Sequence, residues 1–120
     1  MGLEEKLVIR TRIADMWFAD DEMLTHVEPL RTILWEVTTA AGATIVTEQA
    51  IQFSPHGVTI LLGLAESHVL AQSWVDERLL TVDVTMCGKA RIDDLVESLI
   101  ARLKPLRHRV VKVPRGDFEE

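Results

Sequence analysis

The hydrophobic pattern begins with an imperfectly alternating run at residues 7–18, "LVIRTRIADMWF", which predicts a first strand. A helix is predicted next, with Asp20 or Asp21 as its N-cap, Pro29 inside its first two turns and Gly42 as its left-handed C-cap. Its apolar positions recur at helical spacing and are Leu24, Val27, Leu30, Ile33, Leu34 and Val37. The chain therefore opens with a strand and an amphipathic helix.

Four further strands follow, each rich in β-branched or other apolar residues. Polar turns interrupt them, including "SPHG" at 54–57 and "VDER" at 75–78. The predicted strands are 43–53, 58–65, 67–74 and 79–86. After an irregular break, "CGKAR", Leu95, Leu99, Ile100 and Leu103 indicate a second amphipathic helix at 92–106 that ends near Pro105. Residues 108–113 predict a last short strand.

The order of elements predicts an α+β fold for a single domain that spans residues 1–120. We expect a two-layer sandwich, in which an antiparallel sheet carries both helices on one face. The opposite face of the sheet would then be unusually apolar for a monomer. A homodimer that covers this face is therefore predicted.

Composition and charge disfavour several classes of function. Thirteen Lys and Arg against nineteen Asp and Glu give a net charge of -6, which repels phosphate backbones, so nucleic-acid binding is not expected, whereas a small cationic substrate is compatible. No secretion signal or membrane-spanning run is evident, so no membrane association is expected. The single cysteine needs no disulfide partner, and a cytoplasmic location is predicted.

Three short segments carry the residues that could do chemistry: "FSPHGVT" at 53–59, "AESH" at 65–68 and "VDVTMCG" at 82–88. Taken alone, Ser67 at a strand turn is usually a hydrogen-bonding turn residue. A lone cysteine such as Cys87 is usually a small buried hydrophobe. The functional interpretation therefore depends on the three segments together.

In their order and spacing, the three segments resemble the S-adenosylmethionine decarboxylase family in its short prokaryotic form. "GATIVT" at 42–47 and the "RG" of Arg115 and Gly116 also look like family positions, so the resemblance covers residues 10–116. It implies a pyruvoyl-dependent decarboxylase that acts on a small-molecule amine, S-adenosylmethionine, in polyamine (spermidine) biosynthesis.

The resemblance implies that Ser67 is the precursor of a cofactor. The Ser67 hydroxyl attacks the carbonyl of Glu66, the peptide bond becomes an ester, and elimination cuts the chain between residues 66 and 67. The new terminus loses ammonia and becomes a pyruvoyl group, which forms a Schiff base with the substrate amine and accepts the electrons released by decarboxylation. Cys87 resembles the cysteine that returns a proton to the α-carbon. No metal is implied.

Further positions match the family in type. Thr59 stands where the family commonly has a serine that assists processing, and it keeps the hydroxyl. Phe53 matches an aromatic residue that stacks on adenine. Asp76, with Glu77 beside it, falls where the family uses a glutamate to hold the ribose hydroxyls. His68 is a histidine in the family as well and is expected among the substrate-binding residues; the alternative is a partner that orients the pyruvoyl site or a strand histidine with satisfied hydrogen bonds.

The largest departure from the family pattern is Gln72. The family has His-Thr-Trp-Pro-Glu where residues 72–76 of this chain are Gln-Ser-Trp-Val-Asp. An amide cannot shuttle a proton near neutral pH, so the expected processing histidine is replaced by a residue that cannot do its work. In a second departure, the family's Gly-Arg-His appears here as Ile9, Arg10 and Thr11.

Three functions are consistent with these residues. The leading one is a self-cleaving S-adenosylmethionine decarboxylase proenzyme. The second keeps the pyruvoyl chemistry but acts on arginine or ornithine, which Asp76 and Val75 motivate. The third is a non-processing regulatory or binding paralogue, which the loss of histidine at Gln72 motivates.

Overall fold

A computed structural model describes residues 8–116, and its elements follow the predicted order. Leu7, at the start of the first predicted strand, lies outside the described residues. Between the fourth and fifth strands the predicted hairpin turn is a single turn of 3-10 helix, Val75–Glu77. The strands are β1 (Ile9–Trp17), β2 (Ile45–Gln52), β3 (Val58–Leu64), β4 (Ser67–Trp74), β5 (Leu79–Cys87) and β6 (Arg107–Pro114), and the helices are α1 (Leu30–Ala40) and α2 (Ile92–Leu103).

The six strands form one antiparallel sheet in the order β2-β3-β4-β5-β1-β6. Alternate residues of the inner strands face the helices, so Val58, Ile60 and Leu62 of β3 are fully buried in the core that α1 and α2 complete. The predicted α+β sandwich, with an antiparallel sheet and two helices on one face, is confirmed.

The first helix begins at Leu30, later than the predicted start before Leu24. Pro29 lacks an N–H and its ring clashes with the carbonyl four residues earlier, so it stands at the N-cap position instead of inside the helix. The predicted caps, Asp20 and Asp21, therefore lie in an irregular segment. Leu24 is nevertheless fully buried, because this segment also packs on the core.

Both helices end close to their predicted ends. The C-cap of α1 is Ala41, and the predicted cap, Gly42, follows it with a φ of 90°. Lys104 caps α2 with a φ of 54°, just before Pro105. Neither helix, and no other helix in residues 8–116, is long and apolar enough to cross a membrane.

The sheet face that carries no helix, called the open face below, is apolar across its middle. Directly paired positions on five strands form one row, which consists of Val111, Ile13, Asp83, Leu70 and Leu61. Three apolar members of this row are exposed by 37–46%. Large apolar patches on a sheet face are typical of interaction surfaces, and the predicted homodimer would use this face.

A buried arginine joins α2 to the sheet through an ion pair. The Arg12 side chain points from β1 into the core and is 2% exposed, and its Nε donates to the Oδ1 of Asp93 in α2 over 2.8 Å. Its Nη1 also donates to the carbonyl oxygen of Thr11. The Arg12 guanidinium holds the pKa of Asp93 below the ordinary value of 3.8. The pair thus fastens the first turn of α2 to β1.

Replacing Asp93 by asparagine is expected to lower the free energy of unfolding by about 3 kcal/mol, because the buried guanidinium of Arg12 loses the negative charge of the Asp93 carboxylate. The cost stays at the lower end of the range for buried pairs, since Asp93 itself is 51% exposed. A lowered pKa stabilises the folded state above the ordinary pKa, and that stabilisation is lost as pH falls through the lowered value. Urea unfolding of both chains between neutral and acidic pH measures this.

Asp94→Asn is the matched control, because Asp94 pairs with the exposed Arg91 in the same turn of helix. We expect that variant to lose less than about 1 kcal/mol. Equal losses in the two variants would show that a general effect of charge at the start of α2, and not the buried pair, sets the stability.

Candidate functional site

The predicted cleavage position lies in a tight hairpin turn. β3 and β4 are joined by Ala65 and Glu66 alone, and Ser67 is the first residue of β4. Ser67 has a φ of 152°, in a region that residues with a Cβ rarely adopt. Backbone strain of this kind is concentrated at functional sites, where the surrounding structure holds it in place.

The carbonyl that precedes Ser67 is polarised by a neighbouring strand. The backbone N–H of Cys87 donates to the carbonyl oxygen of Glu66 over 3.1 Å. A fixed N–H donor at this oxygen stabilises negative charge that develops when a nucleophile attacks the carbonyl carbon. The Ser67 hydroxyl lies 3.0 Å from the Nδ1 of His68. The turn thus combines a nucleophile, an imidazole and a polarised carbonyl.

Glu66 and Cys87 complete this group of residues at the turn. Glu66 directs its carboxylate away from the reacting atoms, since its Oε1 accepts the backbone N–H of Thr44 over 2.9 Å. Cys87 is a half-buried free thiol at the end of β5, next to Met86, which pairs with Ser67. Glu66 therefore anchors the turn through its side chain and takes part in the chemistry through its backbone.

The remaining predicted residues lie at the other end of the sheet. Thr59 and Gln72 face each other across β3 and β4, and the Thr59 hydroxyl donates to the Oε1 of Gln72 over 2.5 Å. Gly57 ends the turn at 54–57 with a φ of 116°. Its carbonyl oxygen accepts the backbone N–H of Phe53, which positions the Phe53 ring. An open cleft of about 330 Å³ lies beside them, and its walls include Phe53, His56, Gln72, Trp74, Asp76 and Glu77.

The cleft has a mixed chemical character. Phe53 and Trp74 are about half exposed, so their ring faces are available to a planar ligand, and two carboxylates stand at the rim. Residues 8–116 contain no group of three or more His, Cys, Asp or Glu side chains that could hold a metal ion. The lining therefore suits an organic ligand that has an aromatic part and hydroxyl or cationic groups.

The predicted site is divided between two ends of one strand. Ser67 and Gln72 are five residues apart in β4, which corresponds to about 17 Å along an extended strand. The structure therefore brings Glu66, Ser67, His68 and Cys87 together at one end. It brings Phe53, Thr59, Gln72, Asp76 and Glu77 together at the other end, and it does not bring the two groups into contact within one chain.

Sequence reasoning missed two residues of the cleft. Trp74 matches the tryptophan of the family pattern, and a large aromatic residue before a charged turn is a signal that could have identified it. His56 is exposed in the turn at 54–57, and no sequence signal distinguishes it from a solvated turn residue.

Comparison with known proteins matches both the sequence and the fold. A family model described as S-adenosylmethionine decarboxylase matches residues 10–116. The chain is 32% identical over 111 residues to the S-adenosylmethionine decarboxylase proenzyme of Archaeoglobus fulgidus, covering 92% of this chain and 99% of that protein. It is 28% identical over 109 residues to the proenzyme of Methanococcus aeolicus, covering 90% and 93%.

A solved structure matches over nearly the whole chain. The crystal structure of the adenosylmethionine decarboxylase from Aquifex aeolicus superimposes with a TM-score of 0.85 at 31% identity, and the match covers 97% of each chain. The agreement therefore extends from the three motifs to the complete fold.

Proposed function

We propose, since the chain belongs to the S-adenosylmethionine decarboxylase family, that it is a proenzyme that cuts itself between Glu66 and Ser67 and then decarboxylates S-adenosylmethionine for polyamine biosynthesis. One observation carries the proposal: a serine with a strained backbone follows a carbonyl that already accepts the N–H of Cys87. A serine with only a turn role would need neither feature.

The residues of the turn can carry out the cut. The Ser67 Oγ attacks the carbonyl carbon of Glu66, and the oxygen of that carbonyl gains negative charge next to the N–H of Cys87. The C–N bond then breaks, the amine of residue 67 is freed, and the acyl group is left on the Ser67 oxygen as an ester. Loss of the α-hydrogen of residue 67 and cleavage of the bond between its Cβ and the ester oxygen release Glu66 as a carboxylate at the end of the first chain and leave a dehydroalanine at position 67. Water then replaces the nitrogen, which leaves as ammonia.

The residues around position 67 fit the group that results. A pyruvoyl group supplies an electron sink that none of the twenty side chains offers. It would be held at the start of β4, between His68 and the half-buried thiol of Cys87. We assign to Cys87 the return of a proton to the α-carbon of the substrate, since a thiol can donate a proton near neutral pH.

The cleft at the other end of the sheet suits the nucleoside part of the substrate. Phe53 and Trp74 present ring faces on which adenine can stack. Asp76 and Glu77 present carboxylates that can accept the ribose hydroxyls or lie beside the sulfonium charge. We assign both pairs to substrate binding.

The division of the site supports a homodimer. The two ends of β4 are about 17 Å apart and their residues are not in contact within one chain, so a second copy can supply the other half of each site. In this dimer the open faces of two copies face each other, and the two-fold axis lies between them, perpendicular to the strands and close to Leu70. Rotation about this axis makes each strand of one copy run in the opposite direction to the same strand of the other copy. Ser67 of one copy then lies opposite Gln72 of the other. The exposed apolar row at the middle of the open face lies on that axis.

An intact-mass measurement of the purified chain tests the proposal. We expect two fragments, residues 1–66 and residues 67–120, with the second one blocked at its amino terminus by the pyruvoyl group. Ser67→Ala is expected to stay whole, and Ser98→Ala, an exposed serine of α2, is expected to be cut like the parent. A parent chain that stays whole would contradict the proposal and favour the non-processing paralogue.

The same measurement, followed by assays of carbon dioxide release, addresses the alternative substrate. Asp76 and Glu77 could also hold a guanidinium or ammonium group, so arginine and ornithine are assayed beside S-adenosylmethionine. The proposal includes a cytoplasmic location, with which a chain that has one cysteine, and therefore no internal disulfide, is compatible.

A further inference from the structure

A group of polar side chains, called the polar corner below, lies on the open face next to the predicted cleavage position. Its members are Arg115, Thr11 and Thr85. The hydroxyls of Thr11 and Thr85 are 2.9 Å apart, and both residues are more than 90% buried. The Nη1 of Arg115 donates to the Oγ1 of Thr11 over 3.3 Å. Two buried hydroxyls are thus joined to one exposed cation.

The polar corner has more hydrogen-bond donors than its own contacts use. A guanidinium only donates, so the oxygen of Thr11 accepts from Arg115. The bond between the two hydroxyls can run in either direction and uses one of their two hydrogens, which leaves the other hydroxyl hydrogen free to donate. Arg115 has further N–H groups and makes no ion pair with a carboxylate of residues 8–116. The corner therefore has one spare hydroxyl hydrogen and spare guanidinium N–H groups.

The position of the polar corner relates it to the reacting atoms. Thr85 pairs directly with His68 across β4 and β5, and it lies two residues before Cys87 on the same face of the sheet. Thr11 continues this row on β1. Anything bound at residue 67 and protonated by Cys87 would therefore lie beside the corner.

We propose that the polar corner binds the α-carboxylate of the substrate, and this inference rests on the proposed function. A carboxylate supplies two acceptor oxygens, which match the spare hydroxyl hydrogen of the Thr11–Thr85 pair and the N–H groups of Arg115. Holding it at this place fixes the orientation of the carbon–carbon bond that breaks.

Calorimetric binding to the uncut Ser67→Ala chain tests this without any turnover. The two ligands are S-adenosylmethionine and its carboxylate methyl ester, which keeps the nucleoside but lacks the charge and one acceptor. We expect the chain to prefer the free carboxylate by about tenfold or more. Adding Arg115→Met or Thr85→Val is expected to remove most of that preference, while Thr85→Ser restores it.

Arg109→Met is the matched control, because Arg109 lies on β6, the edge strand that ends just before Arg115, but contacts Trp17 and Asp15. It is expected to keep the preference, and thermal melting verifies that each variant is folded. If the Ser67→Ala chain binds neither ligand, the proposed function is wrong. If it binds both and the preference survives in Arg115→Met and in Thr85→Val, the function stands and the assignment of the polar corner is overturned.

Discussion

Replacing Gln72 by histidine is expected to accelerate cleavage between Glu66 and Ser67 by about a hundredfold, the lower end of what a positioned acid–base group contributes. The Thr59 hydroxyl already donates to the Oε1 of Gln72, so an imidazole at this position would receive the same proton. An amide cannot take that proton up and release it, whereas histidine can near neutral pH. The rate of fragment appearance after expression and rapid purification measures the effect.

The accelerated cleavage should also acquire a pH dependence. A neutral imidazole is the competent base, so the rate is expected to rise as pH passes through roughly 6.5, the ordinary pKa of histidine. Gln49→His is the control, since Gln49 is exposed on the same face of the sheet but lies on β2, away from Thr59. A Gln72→His chain that is cut no faster than the Gln49→His chain would contradict the role assigned to this position.

Mixing two inactive variants is expected to restore cleavage in one of them. Ser67→Ala removes the nucleophile and leaves Thr59 intact, whereas Thr59→Val removes the hydroxyl and leaves Ser67 intact. If each site takes Ser67 from one copy and Thr59 from the other, a mixed dimer contains one complete site. Only the Thr59→Val chain is cut in that dimer. Co-expression with tags of different mass, followed by mass spectrometry, identifies which chain yields fragments.

Each variant expressed alone supplies the baseline for this experiment. The Ser67→Ala chain is expected to stay whole, and the Thr59→Val chain is expected to be cut slowly or not at all. No gain in cleavage on mixing, with the mixed dimer verified by its two tags, would mean that Thr59 and Ser67 act within one chain. It would then follow that the 17 Å between the two ends of β4, about what five extended residues span, has to be closed by a rearrangement.

The fold was predictable from sequence because its strands alternate and its helices are amphipathic. Val58, Ile60 and Leu62 show the alternation directly, and it fixes which face of β3 meets the core. The start of α1 was not predictable from periodicity, since apolar spacing continues through Leu24 although Pro29 prevents the helix from forming there. The backbone restriction at Pro29, and not the spacing of apolar residues, therefore decides where α1 begins.

The sequence identifies which residues belong to the candidate site, but it does not show how they are arranged in space. Motif spacing identifies Ser67 and Cys87, and their proximity follows from the pairing of β4 with β5. The separation of Gln72 from Ser67 depends on both lying in one extended strand, which motif spacing does not reveal. The polar corner was missed for a similar reason. Thr11, Thr85 and Arg115 are far apart in sequence and meet only through strand pairing and a single side-chain contact.

The strand order has a consequence for the molecule after a cut between Glu66 and Ser67. The amino-terminal fragment would contain β1, β2 and β3, and the carboxy-terminal fragment would contain β4, β5 and β6. In the sheet, strands of the two fragments alternate in the order β2-β3-β4-β5-β1-β6. β1 is enclosed by strands of the other piece on both sides. The two fragments would stay hydrogen-bonded in one sheet through three strand pairs, β3 with β4, β5 with β1 and β1 with β6. Cleavage therefore breaks one covalent bond without releasing a fragment, and only denaturation separates the products.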